Sequence, residues 1–140
     1  MMIDDSTPFG QKVLHKLAHE QIIWLTTVGA SGTPYPSPVW FLTEESGTLL
    51  IYSKSDAPKL KNIAEQPMVS LHFNSDFHGN DVVTFSATAE VMADPPPSDQ
   101  LPAYQTKYAG GIASLNMSPA EFASTYAGAI RVTLTKLRGF

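Results

Sequence analysis

The segment 81–94 alternates apolar and polar residues, and this alternation constrains the fold more than any other feature of the chain. The apolar positions are Val83, Phe85, Ala87, Ala89 and Val91, and the positions between them carry Thr84, Ser86, Thr88 and Glu90. A period of two residues places the two sets on opposite faces of a β-strand. We therefore predict one long strand with a single core-facing side, ended by the three prolines at 95–97.

Five further segments have strand composition, so that six strands are predicted in all. They are 22–28, 36–42, 48–53, 68–73 and 129–137. Pro36 and Pro38 place the second of them at a sheet edge or a bulge, because proline donates no hydrogen bond. Helices are predicted over 9–21, from Ala57 to just before Pro67, within 98–115, and from the capping-box sequence that begins at Ser118. Six mostly antiparallel strands with few helices favour a mainly β (α+β) fold, a small antiparallel barrel with peripheral helices.

Length and composition limit the class of protein. A chain of 140 residues is predicted to be one domain, 1–140, and a charged fraction of only 16% suggests that a second copy covers part of the surface as a homodimer. The chain has no cysteine and no apolar run of signal-peptide or membrane-spanning length, so we expect a cytoplasmic protein without membrane contact. The formal net charge of -4 argues against nucleic-acid binding.

The strongest sign of a binding site is the cluster of Lys54, Lys59 and Lys61 in this acidic chain. The cluster lies where a strand runs into a helix, with Pro58 in the first helical turn and Ser55 or Asp56 predicted as the cap. Free backbone N–H groups at a helix start, next to ammonium groups, are suited to a phosphate. We therefore predict an anion site at this helix start.

Other chemical motifs are weak. His15 and His19 are four residues apart, but Glu20 follows the second histidine instead of the first, so the zinc-protease arrangement does not occur and no metal site is predicted. His72 and His78 are interpreted as structural or substrate-side residues. The chain contains no Gly-x-Ser-x-Gly, P-loop or Gly-x-Gly-x-x-Gly sequence, and we assign no catalytic residue.

Four motifs follow one another along the chain: Gly-x-Pro at 32–34, Pro-x-Pro-Val-Trp-Phe at 36–41, Ser-Lys-x-x-x-x-Lys-x-x-Asn-Ile at 53–63 and Lys-Leu-Arg-Gly-Phe at 136–140. Together they resemble, over residues 12–140, the split β-barrel superfamily, and within it the small pyridoxamine 5′-phosphate oxidase-like oxidoreductases. The resemblance implies an FMN-binding split barrel whose cofactor lies at a homodimer interface. It also implies the cofactor-binding residues, which are Ser37, Pro38, Val39 and Trp40 at the ring, Ser53, Lys54 and Lys59 at the phosphate, and Asn62 as support.

The same resemblance implies the activity. After Arg131 the chain has no segment rich in arginine and histidine, so it looks more like the compact deazaflavin-using branch than like enzymes that oxidise vitamin B6. We expect a reductase that uses coenzyme F420, or alternatively FMN, to transfer a hydride to a small electron-poor organic substrate. The alternatives are an FMN-binding oxidase relative and a non-catalytic flavin or haem carrier. Tyr104, Lys107 and Tyr108 either line a substrate entrance or belong to a packed helix that covers the barrel end.

Overall fold

The computed structural model describes residues 1–140 and contains seven strands and four α-helices. The strands are β1 (Ile23–Val28), β2 (Pro34–Val39), β3 (Leu42–Thr43), β4 (Leu49–Ser53), β5 (Met68–His72), β6 (Val83–Val91) and β7 (Gly128–Gly139). The helices are α1 (Pro8–His19), α2 (Pro58–Glu65), α3 (Pro102–Ser114) and α4 (Pro119–Thr125), and a 3-10 turn (Ser98–Gln100) precedes α3. None of the helices combines the length and the apolar character needed to cross a membrane.

All strands belong to one antiparallel sheet in the order β2-β1-β5-β6-β7-β4-β3. Strand β6 lies at its centre and shows the predicted alternation, since Val83, Phe85, Ala87 and Ala89 are all buried. The last buried apolar position is Ala89, two residues earlier than predicted, because Val91 is 41% exposed.

The predicted strand over 36–42 is two strands, so the sheet has seven strands and the prediction of six was wrong. Strand β2 pairs with β1 at one edge of the sheet, whereas β3 pairs with β4 at the opposite edge. Only Trp40 and Phe41 separate them, and three Cα steps span at most about 11 Å. The two edges must therefore lie close together, and the sheet curls into a split barrel.

Strand β4 explains where the helices pack, because all five of its residues are buried. Leu49 and Ile51 belong to the barrel core of 20 buried residues. Leu50 and Tyr52 face a second, smaller core formed with Tyr104, Tyr108, Ile112, Phe122 and Ala129. An apolar strand without alternation is typical of a strand covered on both faces. Helices α3 and α4 thus form a layer outside the barrel.

The helix starts show which local predictions hold. The capping box of α4 is confirmed, since Ser118 Oγ accepts from the Glu121 N–H and the Glu121 carboxylate accepts from the Ser118 N–H, both at 3.1 Å. The prediction that Ser55 or Asp56 caps α2 was wrong. Pro58 occupies the first helical position, so the cap falls on Ala57, which has no side-chain acceptor. The first N–H groups of α2 are therefore not capped by a side chain.

Candidate functional site

A cleft of about 280 Å³ opens between the barrel and the outer helices. It lies where the crossover from β2 to β3, the end of β4 and the start of α2 meet α3 and α4. Its lining residues are Pro38, Val39, Trp40, Tyr52, Ser53, Lys59, Tyr104, Leu115, Phe122 and Tyr126. Ends of elements that are distant in the sequence therefore converge at one place.

Five of the eight residues predicted to bind a cofactor line this cleft, namely Pro38, Val39, Trp40, Ser53 and Lys59. The remaining three lie outside its lining. Ser37 is on β2 opposite Leu25, and Lys54 is exposed to solvent just after β4. Asn62 is buried, and its side-chain amide donates to Thr27 Oγ1 at 3.1 Å, which fixes α2 against β1.

Lys59 is the positive group of the cleft. It is half-buried near the start of α2 and forms no salt bridge and no hydrogen bond within the chain. Burial lowers the pKa of its ammonium group below the ordinary value for lysine. An ammonium group that is partly desolvated and lacks a carboxylate partner is suited to an anion supplied from outside the chain.

Two hydroxyl groups in the cleft also have no hydrogen-bond partner within the chain, those of Ser53 and Tyr104. Ser53 is the last residue of β4, and its backbone is fixed by pairing with Gly128 of β7. Tyr104 is fully buried in the second core, and burial, followed by the neighbouring Tyr108 and Tyr52, raises its pKa. Its hydroxyl thus stays protonated and can donate a hydrogen bond to a ligand.

The apolar wall of the cleft is aromatic. The Trp40 ring stacks on Tyr108, with ring centroids 4.6 Å apart and an interplanar angle of 7°, and on Phe122 at 5.4 Å and 16°. Trp40 can lie this close to α3 because Gly111 has no side chain, since a Cβ there would be 2.9 Å from Trp40 Cη2. The stacked rings therefore hold one another in place and make this side of the cleft aromatic.

The sequence reasoning did not assign several lining residues, namely Tyr52, Leu115, Phe122 and Tyr126. Phe122 and Tyr126 follow the helix start predicted at Ser118, and their spacing of four residues, which places them on one side of a helix, was the available signal. Tyr52 is held by its hydroxyl, which donates to the Pro96 carbonyl at 2.6 Å, and burial, followed by the charges of Glu44 and Asp99, raises its pKa to about 12.

Tyr104, Lys107 and Tyr108, which were predicted to line a substrate entrance or to belong to a packed helix, all lie on α3 but have different surroundings. Both tyrosines are buried, but only Tyr104 lines the cleft, whereas the Tyr108 hydroxyl accepts from the Phe41 N–H and donates to the Gln21 carbonyl. Lys107 lines a different cavity.

Metal-binding groups do not converge here or elsewhere. No group of three or more histidine, aspartate or glutamate side chains is arranged to hold a metal ion. His15 and His19 stack on each other with centroids 4.3 Å apart, and His72 stacks on Trp24 at 6.1 Å. None of the four histidines lines the cleft.

Comparison with known proteins identifies the family. A sequence profile of the pyridoxamine 5′-phosphate oxidase family matches residues 9–139. The chain belongs to this family. No curated protein sequence matches it significantly.

Several solved structures share the fold of this chain, although their sequence identity to it is low. A conserved hypothetical protein from Mycobacterium tuberculosis aligns with a TM-score of 0.70 and 16% identity over 91% of this chain and 81% of its own. An F420 reductase aligns with a TM-score of 0.64 and 18% identity over 89% and 94%. HutZ, the heme storage protein from Vibrio cholerae, aligns with a TM-score of 0.64 and 16% identity over 99% and 95%. Structures with the pyridoxamine 5′-phosphate oxidase fold thus include both a reductase and a heme storage protein.

Proposed function

We propose that this protein is a flavin- or deazaflavin-dependent oxidoreductase, and specifically a reductase that uses coenzyme F420 to transfer a hydride to a small electron-poor organic substrate. The observation that carries the proposal is the convergence of Lys59, Ser53 and Tyr104, three polar groups without partners in the chain, beside the aromatic wall of Trp40. A ligand with one anionic end and one flat ring satisfies all of them.

The phosphate end of such a cofactor fits the start of α2. No side chain caps this helix, and the positive charge of Lys59 in its first turn opposes the helix dipole unless an anion is present. A phosphate would bond to the Lys59 ammonium group and to the Lys59 backbone N–H, because Pro58 has no N–H and the Leu60 N–H already bonds to the Ala57 carbonyl at 3.1 Å. Asn62 supports this arrangement from behind, because its bond to Thr27 holds the helix in place.

The ring end fits the aromatic wall. When bound, a reduced deazaflavin or flavin ring supplies the hydride, and the chain needs no catalytic triad of its own. Trp40 and Phe122 would shield one side of the ring from water, and the Tyr104 hydroxyl would donate a hydrogen bond to a ring heteroatom. The role of the chain is to hold the ring and to position the substrate against it.

We propose that the working form is a homodimer with the cofactor at the interface. The cleft of one chain, about 280 Å³, is slightly smaller than the usual range of roughly 300 to 1,000 Å³ for ligand pockets, which supports a site completed by a second copy. The apolar run over 39–42 contributes little to such an interface, because Val39 and Phe41 are buried within the chain. Tyr35 and Met68, 52% and 58% exposed, are the apolar residues that β2 and β5, the two strands that flank β1, offer to a partner.

Coenzyme F420 is preferred over FMN because of the remaining lysines. Lys54 and Lys61 are exposed on either side of the α2 start, outside the cleft. One phosphate needs only Lys59, whereas the longer acidic tail of F420 could reach the other two. Side-by-side fluorescence titrations should give tighter binding for F420, and equal or inverted affinities would favour FMN.

Turnover separates an enzyme from a carrier. The protein, loaded with reduced cofactor, should accelerate the reduction of a quinone or a conjugated alkene, because binding alone does not speed the reaction. Saturable cofactor binding without acceleration of any tested acceptor would favour the carrier. The protein should also be titrated with haem. A haem carrier would shift the Soret absorbance band of the haem, and added F420 would not displace the haem.

A further inference from the structure

A second cavity, of about 490 Å³, is larger than the cofactor cleft and takes no part in the proposed function. It lies between α1 and the hairpin of β3 and β4. Leu14, Leu17 and Ala18 line it from the helix, and Leu42 and Leu134 line it from the sheet. Seven of its 13 lining residues are hydrophobic, so its walls suit an apolar chain.

Lys107 is the only lining residue with a charged side chain. Its ammonium group lies 3.7 Å from the centre of the Phe41 ring and donates to the Phe41 carbonyl at 2.7 Å. It forms no salt bridge. The negative charge of Glu20 acts on Lys107 from a distance, but the Glu20 carboxylate is already paired with Lys16 at 3.7 Å.

The Lys107 ammonium group is therefore incompletely satisfied. Burial lowers the pKa of Lys107 to about 8, and the opposing effect of Glu20 is the smaller one. A lysine ammonium has three N–H donors, and the chain provides one acceptor for them, the Phe41 oxygen. The remaining donors are available to a ligand in the cavity.

We propose that this cavity binds a small amphiphilic carboxylate, with its carboxylate on Lys107 and its hydrocarbon chain against Leu14, Leu17, Leu42 and Leu134. At roughly 30 Å³ for each group the size of a water molecule, the cavity has room for a chain of about ten carbons. A carboxylate matches the site better than a phosphate, because Lys107 is the only charged side chain of the lining and a phosphate carries more negative charge than one ammonium group neutralises.

The binding test uses isothermal calorimetry on the full chain at pH 7, with decanoate, octanoate and decanol as probes. Decanoate should bind with one equivalent per chain. Octanoate should bind roughly fifteenfold more weakly, because each buried methylene is worth about fourfold in affinity. Decanol, which has the same chain but no charge, should bind more weakly than decanoate.

Two variants locate the probe. Lys107→Met keeps the length and apolar character of the side chain. The Tyr108 hydroxyl lies 2.9 Å from the Phe41 oxygen and 2.7 Å from the Gln21 oxygen, and it can turn its one proton to the Phe41 oxygen, so the fold should survive. This variant should lower decanoate affinity at least tenfold and leave decanol unchanged. Ala18→Phe fills the cavity from an exposed helix position and should abolish binding of both probes.

Two control variants exclude other surfaces. Phe77→Ser removes the most exposed aromatic side chain, at 98% exposure, and Lys59→Glu alters the cofactor cleft. Neither should change decanoate affinity, so the result is independent of whether the protein binds F420. The proposal is overturned by the absence of saturable decanoate binding, by binding that survives Ala18→Phe, or by binding that is lost in Lys59→Glu.

Discussion

Lys107 of α3 and Phe41 of the crossover between β2 and β3 are joined by a hydrogen bond, with the lysine Nζ 2.7 Å from the Phe41 carbonyl oxygen. The hydroxyl of Tyr108 contacts the same oxygen at 2.9 Å and accepts from the Phe41 N–H at 2.8 Å. Phe41 lies in the crossover and has no strand partner. Side chains of α3 therefore provide the hydrogen bonds for its backbone N–H and carbonyl. The same helix separates the two cavities, since Tyr104 lines one and Lys107 the other.

The first prediction concerns the tyrosines of α3. Tyr108→Phe should lower the free energy of unfolding by about 1 to 3 kcal/mol, because the buried N–H of Phe41 loses its acceptor. Tyr104→Phe is the matched control and should change stability by less than about 0.5 kcal/mol, because its hydroxyl has no partner in the chain. Urea unfolding of both variants checks this, and equal losses would contradict it.

The second prediction concerns two adjacent glycines of the same helix. Gly110→Ala should stabilise the protein by roughly 0.5 to 1 kcal/mol, because nothing lies within 4 Å of the added Cβ and alanine favours helix. Gly111→Ala should be about 1 to 3 kcal/mol less stable than Gly110→Ala, because its Cβ meets the Trp40 ring. Thermal melts followed by tryptophan fluorescence measure both effects. Similar stabilisation by the two substitutions would mean that the Trp40 ring moves away from residue 111 at no cost, and it would contradict the prediction.

The third prediction concerns Lys59. Lys59→Glu should weaken cofactor binding on the order of a hundredfold or more, because a charge-assisted contact worth roughly 1.5 to 3 kcal/mol becomes a repulsion. Stability of the cofactor-free protein should stay the same or rise, since glutamate suits the first turn of α2. Lys61→Glu makes the same charge change outside the cleft and should leave FMN affinity nearly unchanged. Fluorescence titration decides, and unaltered affinity in Lys59→Glu would remove this lysine from the site.

The fourth prediction concerns pH. The pKa of Lys107 is about 8 in the folded chain and near 10.5 when unfolded, so between these values the unfolded chain binds more protons. Raising the pH through this window should therefore stabilise the wild-type protein relative to Lys107→Met. After allowance for solvent screening, the gain should be on the order of 1 kcal/mol. Parallel urea titrations at pH 7 and pH 10 measure it, and a constant difference between the two proteins would contradict it.

Local features of the sequence were sufficient for much of the fold. The capping box at Ser118 and the alternation from Val83 to Ala89 depend on neighbours in the chain, and the structure contains both. The break between β2 and β3 was not predictable in this way, because Trp40 and Phe41 continue an apolar, extended run. The group that pairs with the Phe41 N–H is Tyr108, 67 positions away.

The candidate site shows the same limit. Lys59 could be placed at a helix start from its own neighbours, and it lines the cleft as expected for an anion site. Tyr104 and Phe122 come from helices that follow β6, and their position beside Trp40 depends on how these helices pack over β4. The motifs of the first half of the chain could not indicate that Tyr108 and Phe122 of the second half complete the aromatic wall around Trp40.

Strand β2 carries prolines at three alternate positions, Pro34, Pro36 and Pro38, and forms one edge of the sheet. Alternate residues of a strand direct their backbone nitrogens to the same side, and pairing with β1 leaves only the free edge for prolines. None of these three prolines offers an N–H donor at the free edge. Another strand therefore cannot add to this edge by regular hydrogen bonding. The prolines thus protect the chain from aggregation through β2. A second copy of the chain that docked at β2 would therefore have to associate through side chains on the face of the sheet.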